Sequence, residues 1–247
     1  MSVVPLSGGS LTATDLANSL VGPGVSVSNA VYTGSLDAAG VFTGGTGIIG
    51  FEQGVILSTG IVSNVVGPNV DDGISWGNGT PGDADLDTLV TFPTNDAAVL
   101  EFDITPIESG LIFNFVFASD EYNEFVNDIF NDVFAFYING NNCALVSGSP
   151  VSVNTINNGN PFGTNPTNPQ LYINNDLDDG GGMINTEMDG LTKVLSCLSF
   201  VNPGVPNHVK LAIADTSDSI WDSNVFLETG SFISELPPRS YLPIVIK

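Results

Sequence analysis

Positive charge is nearly missing from this chain: 4 Lys and Arg stand against 27 Asp and Glu in 247 residues, a net charge of −23. Phosphate and anionic lipid are held by clustered Lys and Arg, so nucleic acid and acidic membrane surfaces are excluded as partners. The four cations, Lys193, Lys210, Arg239 and Lys247, are too few to neutralise the acids by salt bridges. A single histidine and two cysteines leave too few nitrogen and sulfur donors for a zinc or copper centre. No G-x-S-x-G elbow and no phosphate loop occurs, so no nucleophilic triad can be assembled, and His208 beside Lys210 reads as structural. No run of about 18–20 apolar residues is present, so no membrane insertion is expected. The start, Met1–Leu6, lacks the basic and apolar regions of a signal peptide, which reads as a mature chain behind an added Met1.

What is present points to a packed β protein. Acidic chains are disordered when they are also poorly hydrophobic, but 42% of this one is hydrophobic and it carries 15 Phe. One domain of this length buries roughly 70–75% of its unfolded surface. Gly (28) and Pro (15) punctuate short apolar runs throughout. Val99–Thr105 alternates, with Leu100, Phe102 and Ile104 on one face and Glu101 and Asp103 on the other. Leu111–Ala118 and Asp132–Ile138 are apolar on both faces, the mark of strands covered on both sides. Val209–Ala214, Asn224–Glu228, Gly54–Ser58 and Val151–Ile156 read as further strands. Two short helices are expected. One is Asp15–Leu20 with Thr14 as its cap; the other is Glu121–Phe130, whose Tyr122, Phe125, Val126, Ile129 and Phe130 recur at helical spacing. The predicted fold class is all-β: a jelly-roll-like sandwich of two mainly antiparallel sheets over residues 1–234, followed by a Pro-rich tail and short apolar strand at 235–247.

The acids gather in loops. Asp83, Asp85 and Asp87 close a Gly- and Asn-rich stretch that also holds Asp71 and Asp72. Asp120, Glu121, Glu124, Asp128, Asn131 and Asp132 lie between two buried strands. Asp176, Asp178 and Asp179 form a third group, and Asp215, Asp218 and Asp222 with Ser223 a fourth. Calcium takes six to eight oxygens from carboxylates, amides and carbonyls at about 2.3–2.6 Å, and these loops offer those donors. Calcium is therefore the expected cofactor, at sites drawn from Asp83, Asp85, Asp87, Asp120, Glu121, Glu124, Asn131, Asp132, Asp215, Asp218 and Asp222. Paired carboxylates also serve glycoside hydrolysis, but only at separations of about 5–9 Å that a sequence does not show. Cys143 and Cys197 either pair in an oxidising compartment or remain two buried thiols. Trp76, Trp221 and Tyr172, all in loops, are the candidate platform for a sugar.

Two long motifs, FVFASDEYNEFVNDIFNDVFAFYING (115–140) and HVKLAIADTSDSIWDSNVFLETGSF (208–232), resemble the choice-of-anchor L domain family. Shorter pieces at 20–34, 54–60 and 82–87 are similar to it as well. The resemblance implies an exported bacterial protein of the cell surface or extracellular matrix, with adhesion or matrix roles and no established catalysis. The matching acids are Asp120, Glu121, Glu124, Asn131 and Asp132 in the first motif and Asp215, Asp218 and Asp222 in the second. The family's usual Glu-Glu-Tyr is Asp120-Glu121-Tyr122 here. After Phe232 no sortase motif, spanning helix or basic terminus follows, so an anchor is expected to be missing, removed or replaced. The apolar strand of Tyr241, Leu242, Ile244 and Ile246 either closes the domain's own sheet or adds to a neighbour's edge, making a homopolymer. The expected function is thus a secreted, calcium-stabilised structural or adhesive protein, self-assembling by strand addition and not an enzyme. The alternative is a calcium-dependent module that binds surface glycans.

Overall fold

The two doubly apolar segments become central strands of two facing sheets. In chain order the strands are β1 (Ser2–Pro5), β2 (Val25–Thr33), β3 (Ala39–Thr43), β4 (Gln53–Ser58), β5 (Thr94–Pro106), β6 (Gly110–Ser119), β7 (Val133–Ile138) and β8 (Asn141–Asn142). They continue with β9 (Leu145–Val146), β10 (Ser149–Ser152), β11 (Tyr172–Asn174), β12 (Gly190–Thr192), β13 (Leu195–Phe200), β14 (Asn207–Thr216) and β15 (Ser223–Glu228). The one α-helix among the described residues is α1 (Ala13–Leu20). This computed structural model describes residues 1–234; the tail at 235–247, with Tyr241, Leu242, Ile244 and Ile246, lies outside the described residues.

The first sheet runs β1-β3-β4-β15-β6-β12-β11, with β13 lying beside β6 beyond β12. The second runs β2-β5-β14-β7-β10-β9, with β8 beside β7. Every pairing between these strands is antiparallel, so the protein is an all-β sandwich. Alternation along β6 explains its doubly apolar sequence. Phe113, Phe115 and Phe117 enter the core between the sheets, while Val116 and Ala118 meet an outer cluster with Phe51, Val62, Val65 and Met188. On β7, Phe134, Phe136 and Ile138 face the same inter-sheet core, and Val133 and Ala135 pack outward under Leu86. Phe113 joins the layers, its ring centroid 4.9 Å from Phe136 and 4.4 Å from Phe232.

Three expectations need correction. The helix starts earlier than expected, because Thr12 rather than Thr14 caps it: Thr12 Oγ1 accepts from Asp15 N (3.2 Å) and Asp15 Oδ2 from Thr12 N (2.9 Å). That capping box satisfies two otherwise orphaned donors. Residues Glu121–Phe130 form no helix but a chain of turns. Phe125 N reaches Glu121 O (3.1 Å) for one helical turn, and Asn127 at φ 67° then reverses the backbone into the left-handed region. The expected strand Val151–Ile156 leaves the sheet after Ser152, its Val153 and Ile156 staying buried in the core.

Cys143 and Cys197 form a disulfide, with Cα atoms 5.6 Å apart. Cys197 belongs to β13 of the first sheet, and Cys143 follows β8 of the second, so the bond staples one sheet to the other.

Candidate functional site

Antiparallel pairing brings the acidic loops to one end of the sandwich. There β4 and β6 finish, β5, β7, β12 and β15 begin, and β14 ends opposite the start of β5. In the first sheet Ser119 pairs with Ser223 on one side and with Gly190 on the other. The next residues out are therefore Asp222, Asp120 and Asp189, side by side across three strands roughly 4.8 Å apart. Asp120 N donates to Asp222 O (3.2 Å), and Asp189 N donates to Asp120 Oδ1 (3.2 Å). In the second sheet Ala214 pairs with Val133, which sets Asp132 beside Asp215. Asp132 Oδ1 accepts from Thr216 N (2.9 Å), and its Oδ2 accepts from Ser223 Oγ (2.7 Å), which lies 2.8 Å from Ser119 Oγ. Asp132 thus bridges the two sheets, and Glu121, bonded through its N to Ser119 Oγ (3.0 Å), lies beside that bridge.

These carboxylates are withdrawn from water: Asp120, Glu121, Asp132, Asp189, Asp215 and Asp222 are each no more than 2% exposed. Burial pushes Asp132 and Asp222 up to about 7, Asp189 to about 8 and Glu121 to about 10. Burial, then the neighbouring carboxylates Asp189 and Asp222, raise Asp120 well above its ordinary range; burial, then Asp132, does the same to Asp215. Among the described residues, one oxygen on each of Asp120, Glu121, Asp189, Asp215 and Asp222 has no hydrogen-bond partner. A buried ionised carboxylate without a partner is costly, so such groups either stay protonated or meet a cation. No Lys or Arg among the described residues supplies one: the ion pairs there are those of Lys210 with Asp83 and Asp85 and of His208 with Glu101 and Asp103. Among the described residues no three His, Cys, Asp or Glu side chains converge into a ready-made metal centre. Any cation here therefore needs amide, hydroxyl or carbonyl oxygens as well.

The remaining expected ligands are dispersed. Asp83 and Asp85 hold the Lys210 ammonium (both at 2.7 Å), and Asp87 Oδ1 accepts from Thr94 N (2.7 Å). Asn131 Oδ1 accepts from Asn154 N (2.8 Å), fastening the 120–132 loop to the segment after β10. Asp218 Oδ1 accepts from Ile220 N (3.2 Å) at the rim, and Glu124 is exposed. Of the expected sugar platform, Tyr172 is buried and its hydroxyl donates to Asn123 Oδ1 (2.6 Å), so it presents no face. Trp221 instead packs on Phe125 (centroids 4.2 Å apart), lining a cleft of about 250 Å³ with Phe130, Ile220, Glu121 and Asp218, while Trp76 is exposed.

Two members of the carboxylate end were not expected from the sequence, Asp189 and Asn69. Asp189 lies in NTEMDGLTK, without the crowding that marks the other clusters. Asn69 Nδ2 donates to Asp189 Oδ1 (2.7 Å) and to Asn175 O (3.1 Å). The only sequence cue was an acid standing immediately before a Gly that opens a strand.

Comparison with curated proteins returned no match, and neither did comparison with solved structures. The profile of the Choice-of-anchor L domain matches residues 6–233, from the turn before α1 to the close of the sandwich. The chain therefore belongs to the Choice-of-anchor L domain family, whose members are bacterial cell-surface proteins.

Proposed function

We propose that this chain is a secreted structural or adhesive module whose two sheets are fastened at one end by calcium. The observation that carries the reading is the pair of buried oxygens on Glu121 and Asp215, without partners among the described residues, beside the inter-sheet residue Asp132. Glu121, Asp132 and Asp215 would hold the ion, with Asp218 at the rim. A hard divalent cation supplies there the positive charge that the chain itself lacks. Six to eight oxygens suit calcium, and carbonyl or hydroxyl donors make up what the carboxylates do not. The reading is of a non-enzymatic module. Its test is thermal unfolding in calcium against excess chelator, and superimposable melts would sink it.

Assembly by strand addition belongs to the same proposal. Among the described residues β2 forms the border of the second sheet over nine residues, and a long unpaired border is a template for another strand. Deleting 241–247 is expected to leave the melting temperature unchanged and to abolish polymers in sedimentation; polymers persisting in the truncated chain would remove that part.

A second reading, calcium-dependent glycan binding, is favoured by the Trp221–Phe125 cleft, where aromatic faces meet two carboxylates. It predicts that Trp221→Ala abolishes retention on a glycan array while the melt in calcium stays high. No retention by the unaltered chain, with or without calcium, would eliminate it.

A further inference from the structure

The row Asp222–Asp120–Asp189 belongs to the first sheet, whereas Asp132 and Asp215 end strands of the second. Two members of that row are linked, and Asn69 joins them from outside it: Asp120 Oδ1 accepts from Asp189 N (3.2 Å), and Asp189 Oδ1 accepts from Asn69 Nδ2 (2.7 Å). Each residue then keeps one oxygen with no partner among the described residues: Asp120 Oδ2, Asp189 Oδ2 and Asn69 Oδ1. All three residues are buried, at 0%, 0% and 6% exposure. The amide of Asn69 cannot be turned to relieve this, because its Nδ2 already serves two acceptors, Asp189 Oδ1 and Asn175 O. Three acceptor oxygens with no donor among the described residues therefore belong to residues joined by one backbone and one side-chain hydrogen bond.

We propose that Asp120, Asp189 and Asn69 form a second divalent-cation site, separate from the one between the sheets and selective for calcium. Two carboxylates and an amide oxygen, completed by backbone carbonyls, are a donor set that calcium accepts and that zinc, lacking His or thiolate here, does not favour. The surrounding charge has the right sign: Asp176, Glu124 and Asp72 all act on Asp189, and no cationic side chain pairs with them among the described residues. Such an ion would tie the 69–72 segment and the 174–189 segment to the end of β6. It shares the cation chemistry of the calcium reading above but uses different oxygens, so either can fail alone.

The test counts bound calcium on the chelator-stripped full chain by native mass spectrometry, with calorimetric titration for affinity. Asp189→Asn is expected to lose one ion and keep another, whereas Asp215→Asn loses the other and keeps this one. Asn69→Ala is expected to weaken this ion by at least about tenfold without moving the remaining affinity, since a lost ligand costs no less than a lost outer-sphere contact. If Asp189→Asn does not fold, Asn69→Ala carries the test. Unchanged count and affinity in the folded variants at positions 69 and 189 would mean that a shared proton, not a cation, satisfies these oxygens. An ion lost only in Asp215→Asn would overturn this site and leave the inter-sheet reading standing; no bound calcium in the unaltered chain would remove both.

Discussion

In excess chelator near neutral pH the melting temperature is expected to fall by on the order of 10 °C relative to saturating calcium. A ligand present at about 1,000 times its dissociation constant and bound only by the folded state stabilises it by about 4 kcal/mol. In a domain of this size each kcal/mol moves the midpoint by about 2–4 °C. The pH dependence gives the prediction its sign. In the metal-free folded chain Asp132, Asp222, Asp189 and Glu121 are raised to about 7, 7, 8 and 10, whereas unfolded carboxylates ionise near 4. A group with a raised folded pKa contributes stability that is fully present below the unfolded value and is lost as pH climbs through the folded one. The chelated protein should therefore be most stable on the acid side and weaken steadily above about pH 4. Calcium works in the opposite direction, because it requires deprotonated ligands. Paired melts should converge near pH 5 and separate by pH 8. A gap that shrinks as pH rises would contradict the assignment.

Replacing both cysteines, Cys143→Ala with Cys197→Ala, is expected to cost roughly 4 kcal/mol, again on the order of 10 °C. The bond closes a loop of sequence separation 54, and the cost follows from the entropy regained by the unfolded chain. The double variant is the better experiment than reductant, because Cys197 is 2% exposed and reached slowly. Differential scanning calorimetry checks it. A shift within a degree or two of zero would mean that native contacts between the sheets already hold what the bond holds.

The strands were legible wherever side-chain chemistry alone decides burial. Leu100, Phe102 and Ile104 alternate with Glu101 and Asp103, and the structure buries the first three. The doubly apolar β6 and β7 were legible for the same reason. The segment 121–130 misled because its apolar spacing is helical while its backbone is not. Tyr122 and Val126 are drawn into the core, Phe125 turns to Trp221, and Asn127 takes the left-handed conformation that ends any helix. The carboxylate end was half legible. Crowded acids in the two motifs pointed to it, but crowding also pointed to Asp83 and Asp85, which Lys210 neutralises from a strand 125 to 127 residues away. Asp189 and Asn69 were hidden for the converse reason. Asp189 has only Glu187 near it in sequence, Asn69 carries no charge although it precedes Asp71 and Asp72, and only the pairing of Gly190 with Ser119 brings Asp189 to Asp120. Strand register is a long-range property, and a single sequence does not display it.

The Cys143–Cys197 staple lies opposite Phe113 along β13, whereas the buried acids gather beyond Ser119 at the sheet's end. One tie is covalent and the proposed one is ionic, yet both depend on where the chain is. Thiols stay reduced in the cytosol, and calcium modules that work outside cells bind at roughly 10⁻⁴–10⁻³ M. On that proposal, a chain in a reducing, calcium-poor compartment would carry neither tie and be the less stable form. On the calcium proposal, the two ties would close only where oxidant and calcium are both present.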